Sequence, residues 1–202
     1  MASRRSPIPR AGTRRLTRSA ALCYQLRIEL EDIEPMIWRR VLVPDTIALP
    51  KLHVVLLWTM GWQGGHPHEF EIGRQRYGIP DEDWPDAGCL DENRVRLKPL
   101  IEAGVRHFTY LYDFGDHWEH RIVVEDRVPA EPKTASVRCI AGENACPPED
   151  VGGVPGYFEF LAALRDPANE EHETLRRWIG GSFDPTHFDL AEINERLADI
   201  KI

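Results

Sequence analysis

Residues 23–31 alternate without interruption, with Tyr24, Leu26, Ile28 and Leu30 on one side and Gln25, Arg27, Glu29 and Glu31 on the other. Only an extended chain keeps every second side chain on one face, so this run specifies a half-buried strand. Asp32–Pro35 supplies turn chemistry, and Ile37–Val43 alternates again before Pro44 stops it. The simplest arrangement is an antiparallel hairpin. A hairpin with one apolar face needs a second layer to cover it, and the remaining residues must provide that layer.

The cover comes from segments of a different period. Pro50 stands at a first helical position, and Leu52, Val55, Leu56 and Thr59 follow at helical spacing, with Trp58 and Trp62 nearby and a stop expected at Gly64-Gly65. His68–Ile72 reads as a short strand, Tyr77–Asp91 as an excursion rich in proline, glycine and acid, and Val95 with Leu97 as another short strand. Residues 105–112 and 120–128 carry Phe108, Tyr110, Tyr112, Ile122 and Val124 and predict a second hairpin about the polar turn Asp113–Asp116. Pro129–Pro155 has the composition of a loop. The last quarter is helical, with stripes Tyr157/Phe160/Leu161/Leu164, Leu175/Trp178/Ile179 and Leu190/Ile193/Leu197. Asp189 is placed to cap the last of these, with Glu192 three residues on. Together these segments predict an α+β fold: a mostly antiparallel sheet built from hairpins, helices packed on one side, and a helical C-terminal quarter. A length of 202 residues suits one domain.

Charge divides the chain. Arg4, Arg5, Arg10, Arg14, Arg15 and Arg18 fall in the first 18 residues with no acid among them, which leaves 19 basic against 33 acidic groups in the other 184, a net charge of −14. Residues 1–20 hold too few large apolar side chains to offset the entropy of ordering, so they are expected to be a disordered basic arm, with a single domain over 21–202. Two roles stay open for the arm: contact with nucleic-acid phosphates, or a solvated tail. The arginine pair at its start is followed by no apolar stretch of signal-peptide length, and no uncharged run approaches the roughly 20 residues that span a bilayer. Four cysteines, Cys23, Cys89, Cys139 and Cys146, are too few for a disulfide scaffold and point to reduced thiols in the cytoplasm. The Cys139/Cys146 spacing fits no common zinc knuckle.

The densest polar group is Asp113, Asp116, His117, Glu119 and His120, at the second hairpin. Carboxylates and imidazoles that converge within a few ångströms can hold a divalent metal or move protons, and the same residues can simply cap a turn. His66 and His68, two apart, share a face on an extended chain, as zinc ligands often do. Gly152, Gly153 and Gly156 precede a helix and either cradle an anion or let a tight loop enter that helix; the adjacent Glu149 and Asp150 disfavour an anion. Asp113-Phe114-Gly115 lacks every accompanying feature of a kinase metal-binding triplet. The six tryptophans are scattered rather than set among basic residues, and only small clusters such as Arg39-Arg40 and Arg176-Arg177 occur outside the arm. That pattern does not make a base-stacking groove.

Two longer segments are more specific. YDFGDHWEHRIVVE at Tyr112–Glu125 and CPPEDVGGVPGYFEFL at Cys146–Leu161, with YQLRIELEDIEPMIWRRVLVP, HPHEFEI and FDPTHFDLAEINERL, resemble the plasmid pRiA4b Orf-three-like family over roughly residues 22–198. That family includes the passenger protein of an insertion element labelled a resolvase. No activated serine within an arginine cluster, as a serine recombinase needs, occurs in this chain. The resemblance implies an α+β fold and a place on plasmids and mobile elements. It coincides with Asp113, Gly115, Asp116, Trp118 and His120, and with Pro147, Pro148, Glu149, Asp150, Gly152, Gly153, Gly156 and Tyr157. The leading expectation is a cytosolic accessory protein that binds a protein or nucleic acid. The alternative is a metal-dependent hydrolase or nuclease with a divalent metal in a pocket of Asp113, Asp116, His117, His120, Glu149 and Asp150. Both rest on the two motifs meeting in space.

Overall fold

The computed structural model describes residues 21–80, 88–130 and 137–201. The arginine-rich arm lies outside them. β1 (Leu22–Leu30) and β2 (Ile37–Pro44) form the expected hairpin, in register from Cys23 opposite Pro44 to Leu30 opposite Ile37. The alternation does what it promised: Tyr24, Leu26, Ile28, Leu30, Ile37, Val41 and Val43 are all buried. β3 (His68–Ile72) and β4 (Gln75–Gly78) make a second hairpin, and β5 (Cys89–Asp91) lies parallel to β4 at the sheet edge. β6 (His107–Tyr112), β7 (Trp118–Pro129) and β8 (Arg138–Glu143) complete one eight-stranded sheet in the order β5-β4-β3-β6-β7-β1-β2-β8. Apart from β4–β5, every pairing in it is antiparallel. The fold is α+β, as predicted.

Among the described residues five helices supply the covering layer: α1 (Leu49–Met60), α2 (Leu97–Glu102), α3 (Gly153–Arg165), α4 (His172–Trp178) and α5 (Leu190–Leu197). Leu52, Val55, Leu56 and Thr59 of α1 are buried, and Tyr157, Phe160, Ile193 and Leu197 join the same core from the later helices. α1 starts with Pro50 in its first turn and stops at Gly61, in left-handed conformation at φ 97°, three residues before the expected stop. That early stop turns Trp62 inward, where it is buried. The Asp189 carboxylate caps α5 by accepting from the Ala191 and Glu192 amides. Glu192 points to Arg196 instead of closing a reciprocal cap.

Three expectations are corrected. The segment predicted as loop from Pro129 to Pro155 contains β8, an edge strand in which Gly142 and Glu143 interrupt any apolar pattern. Val95 and Leu97 are not a strand: a single 3-10 turn, Glu92–Arg94, precedes them, and Leu97 opens α2, a helix too short for its period to show. The Tyr77–Asp91 excursion is bounded by strand at both ends, with Tyr77 and Gly78 in β4 and Cys89–Asp91 forming β5. Arg39 lies on the buried face of β2, where its guanidinium donates to the carbonyls of Trp38, Thr59, Glu143 and Asn144, while Arg40 pairs with Glu125. No helix among the described residues is long and apolar enough to cross a membrane.

Candidate functional site

The β3–β6 ladder places the site. His68 pairs with Tyr112, and one step further the Asp113 amide donates to the Pro67 carbonyl at 2.9 Å, so the loop before β3 and the turn after β6 leave the sheet side by side. Asp113 sits at φ 57°, a left-handed conformation that aspartate tolerates because its side chain bonds its own turn. Its Oδ1 accepts from the Gly115 and Asp116 amides at 2.9 and 3.3 Å. The other oxygen, Oδ2, is left facing His66 Nδ1 at 3.3 Å.

Trp62 forms the floor. It stacks on Tyr112 with ring centroids 5.1 Å apart, lies 5.9 Å from Trp118, and donates from Nε1 to the Pro147 carbonyl at 2.9 Å. That last bond draws the 144–152 segment over the end of the sheet. Glu149 then cross-ties three pieces of chain: its carboxylate accepts from the Gln63 and Gly64 amides at 3.0 and 3.1 Å and from the Tyr112 hydroxyl at 2.7 Å. Burial, and next the bond to Glu149, push the Tyr112 phenol well above its usual range. Asp116 Oδ2 accepts from the Gly152 amide at 3.1 Å. A Cβ on Gly153 would overlap the Asp116 carbonyl, so the docking of the two segments requires glycine there. The turn near 115 and the stretch near 150 are therefore in direct contact.

The residues predicted for a pocket do not all gather there. Asp113 and Asp150 face His66, with Asp150 Oδ1 3.3 Å from Nε2. Glu149 and Asp116 are consumed in holding the loops. His117 is exposed on the turn at φ 59° and stays outside the cluster. His120 is not in the pocket: it is fully buried on β7, bonded through Nδ1 to the Tyr110 carbonyl, and burial lowers its pKa to about 4. Strand alternation explains this, since His120 shares the inward face with Trp118 and Ile122. The His66/His68 pair also divides. His68 turns inward, with Nε2 3.0 Å from the buried Glu92 and its ring stacked on His53 at 3.5 Å. Burial, reinforced by His68, lowers the His53 pKa to about 3. Sequence reasoning singled out Asp113 and Asp150 for the pocket and His66 only as a pair with His68, because a loop histidine carries no periodic signal of its direction.

Beside this cluster run two open grooves that share Asp150 and Trp178. One, about 660 Å³, passes between the end of α1 and α5; the other, about 670 Å³, lies between α3 and α4. Trp178 is 47% exposed and edges onto Phe160 at 5.7 Å. No local motif announces Trp178, Glu159 or Glu171 as neighbours of Asp150, since they converge only through helix packing.

A model of the plasmid pRiA4b ORF-3-like protein family matches residues 22–192. The chain belongs to that family. An uncharacterized protein, y4hQ, of Sinorhizobium fredii (strain NBRC 101917 / NGR234) is 42% identical over 182 residues, covering 89% of this chain and 93% of the relative. The crystal structure of MM3350, a protein of unknown function from Methanosarcina mazei Go1, superimposes with a TM-score of 0.79 at 32% identity, over 86% of this chain and 98% of that one. The plasmid pRiA4b ORF-3-like fold thus extends over nearly all of the described residues.

Proposed function

We propose that this protein is a cytosolic accessory protein of mobile-element type that acts without catalysis, as a binding module for basic protein segments bearing an aromatic or aliphatic side chain. One observation carries the reading: the paired grooves meet at Asp150 and Trp178, and six carboxylates line them (Glu149, Asp150, Glu159, Glu171, Asp189 and Glu192). The arginines in the lining are Arg39, held by backbone carbonyls, and Arg196, held by Glu192 and the Gly61 carbonyl; Glu149 and Asp189 likewise accept from backbone amides, which leaves Glu159 and Glu171, with Asp150 beside His66, to meet a ligand. Carboxylates around a half-exposed tryptophan attract cations and repel phosphates, so the occupant is a basic peptide rather than nucleic acid. A domain with a net charge of −14 outside its first 18 residues adds a long-range field of the same sign.

The test is fluorescence anisotropy with a synthetic peptide alternating arginine with leucine and tryptophan, its glutamate counterpart, and duplex DNA. The basic peptide should bind and weaken as salt rises. Glu159→Lys with Glu171→Lys, or Trp178→Ala alone, should weaken it about tenfold or more. Equal affinity for the acidic peptide, preference for DNA, or indifference to these substitutions would overturn the reading.

A further inference from the structure

We infer that His66, Asp113 and Asp150 form a site for one divalent metal ion of the zinc class. The three side chains come from three separate segments, and one donor atom from each lies within 4.8 Å of the others. Donors around a zinc-class ion at about 2.0–2.2 Å stand about 3.3 Å apart; Asp113 Oδ2 already stands 3.3 Å from His66 Nδ1, and the exposed Asp150 closes the set by swinging from Nε2 toward that same ring edge. One imidazole nitrogen and two carboxylates suit zinc, manganese or iron(II) better than calcium, which prefers six or more oxygens. Three protein ligands leave at least one position of the ion open.

The surroundings distinguish this cluster from chance neighbours on an acidic surface. Asp113 is buried, with one oxygen fixed by two amides and the other left toward His66 at 3.3 Å, longer than the 2.7–2.9 Å expected of a charge-assisted hydrogen bond. Asp150 Oδ1 is equally far from the other ring nitrogen, Nε2, so it is the exposed aspartate that moves when Nδ1 takes the ion. Glu149 and Asp116 are not donors to the ion. They hold the segments that are: Glu149 fastens the chain just before His66 and the tyrosine next to Asp113, and Asp116 fastens Gly152, two residues after Asp150. Ligands fixed by an outer layer of hydrogen bonds are what a metal site requires. A bound ion would clip the three loops together, adding its binding free energy to folding.

Full-length protein stripped with chelator and dialysed against zinc, manganese, calcium or magnesium chloride should retain about one zinc per chain, manganese more weakly, and neither alkaline earth. Asp150 is 70% exposed, so Asp150→Asn leaves the fold intact; it should lower zinc affinity at least tenfold, as should His66→Gln, and both should lose the zinc-dependent rise in melting temperature. Zinc retained at wild-type affinity by both variants, or no retained metal in the wild type, would overturn the inference. It shares Asp150 and the His66 wall with the groove reading, yet the two fail separately, because His66→Gln removes a ligand and no groove carboxylate. Zinc loss with unchanged peptide binding identifies the metal site alone.

Discussion

Burial decides the charge of His120. Its ring has no exposed surface, so the imidazolium is disfavoured and the pKa drops to about 4, while His53 falls to about 3. An unfolded histidine takes up its proton near pH 6.5, so below that value the unfolded chain binds protons that the native state refuses. Stability is then complete above about pH 6.5 and lost as pH falls, down to about 4 for His120 and about 3 for His53. Between pH 7 and 5 the His120 contribution to that loss is about 2 kcal/mol. Urea midpoints at pH 7, 6 and 5 measure it, and His120→Gln should flatten the slope. An unchanged slope in that variant would show that His120 titrates normally. At this scale the sequence marked the right segment and the wrong chemistry: His120 is one of two histidines in a run of acids, and only the pairing of β6 with β7 sends it inward while His117 stays out.

Among the elements, the meeting of the β6–β7 turn with the entry to α3 depends on a glycine without a side chain. Gly153 has φ 67°, and the Asp116 carbonyl occupies the space its Cβ would need, whereas Gly104, at φ 109°, faces nothing within 4 Å. Gly104→Ala should therefore cost about 1 kcal/mol, the conformational penalty alone, and Gly153→Ala about 3 kcal/mol or more, because the two motifs must also part. Thermal denaturation of both variants checks this, and equal losses would mean that the segments are not locked together. The amphipathic elements were legible beforehand: the β1–β2 and β6–β7 hairpins and α1, α3 and α5 follow from period alone. β4, β8 and α2 were not. β4 and β8 lie near the rims of the sheet, where one face need not be apolar, and α2 is under two turns, so none carries a repeat long enough to read.

For the molecule as a whole, an eight-stranded open sheet has two edges to protect from other chains. One is β5, only three residues long and ending in Asp91. The other is β8, and α5 covers it by an unusual route. The Asn194 side chain accepts from the Cys139 amide and donates to the Cys139 carbonyl, both at 3.0 Å, so one side-chain amide occupies the positions a neighbouring strand would take. Its Nδ2 also donates to the Leu190 carbonyl at 2.8 Å, which fixes the amide's orientation on the helix. Replacing it by alanine removes both bonds to an otherwise buried residue, a loss of about 1–3 kcal/mol. Asn194→Ala should lower the urea midpoint accordingly and speed hydrogen exchange at the Cys139 amide. It should also bring concentration-dependent association in sedimentation, as the bared edge finds partners. Asn194→Asp keeps the acceptor and loses the donor, so it should retain slow exchange at the amide while losing stability. If neither exchange nor association changes in the alanine variant, α5 is not the guard of this edge and β8 is protected by its own sequence.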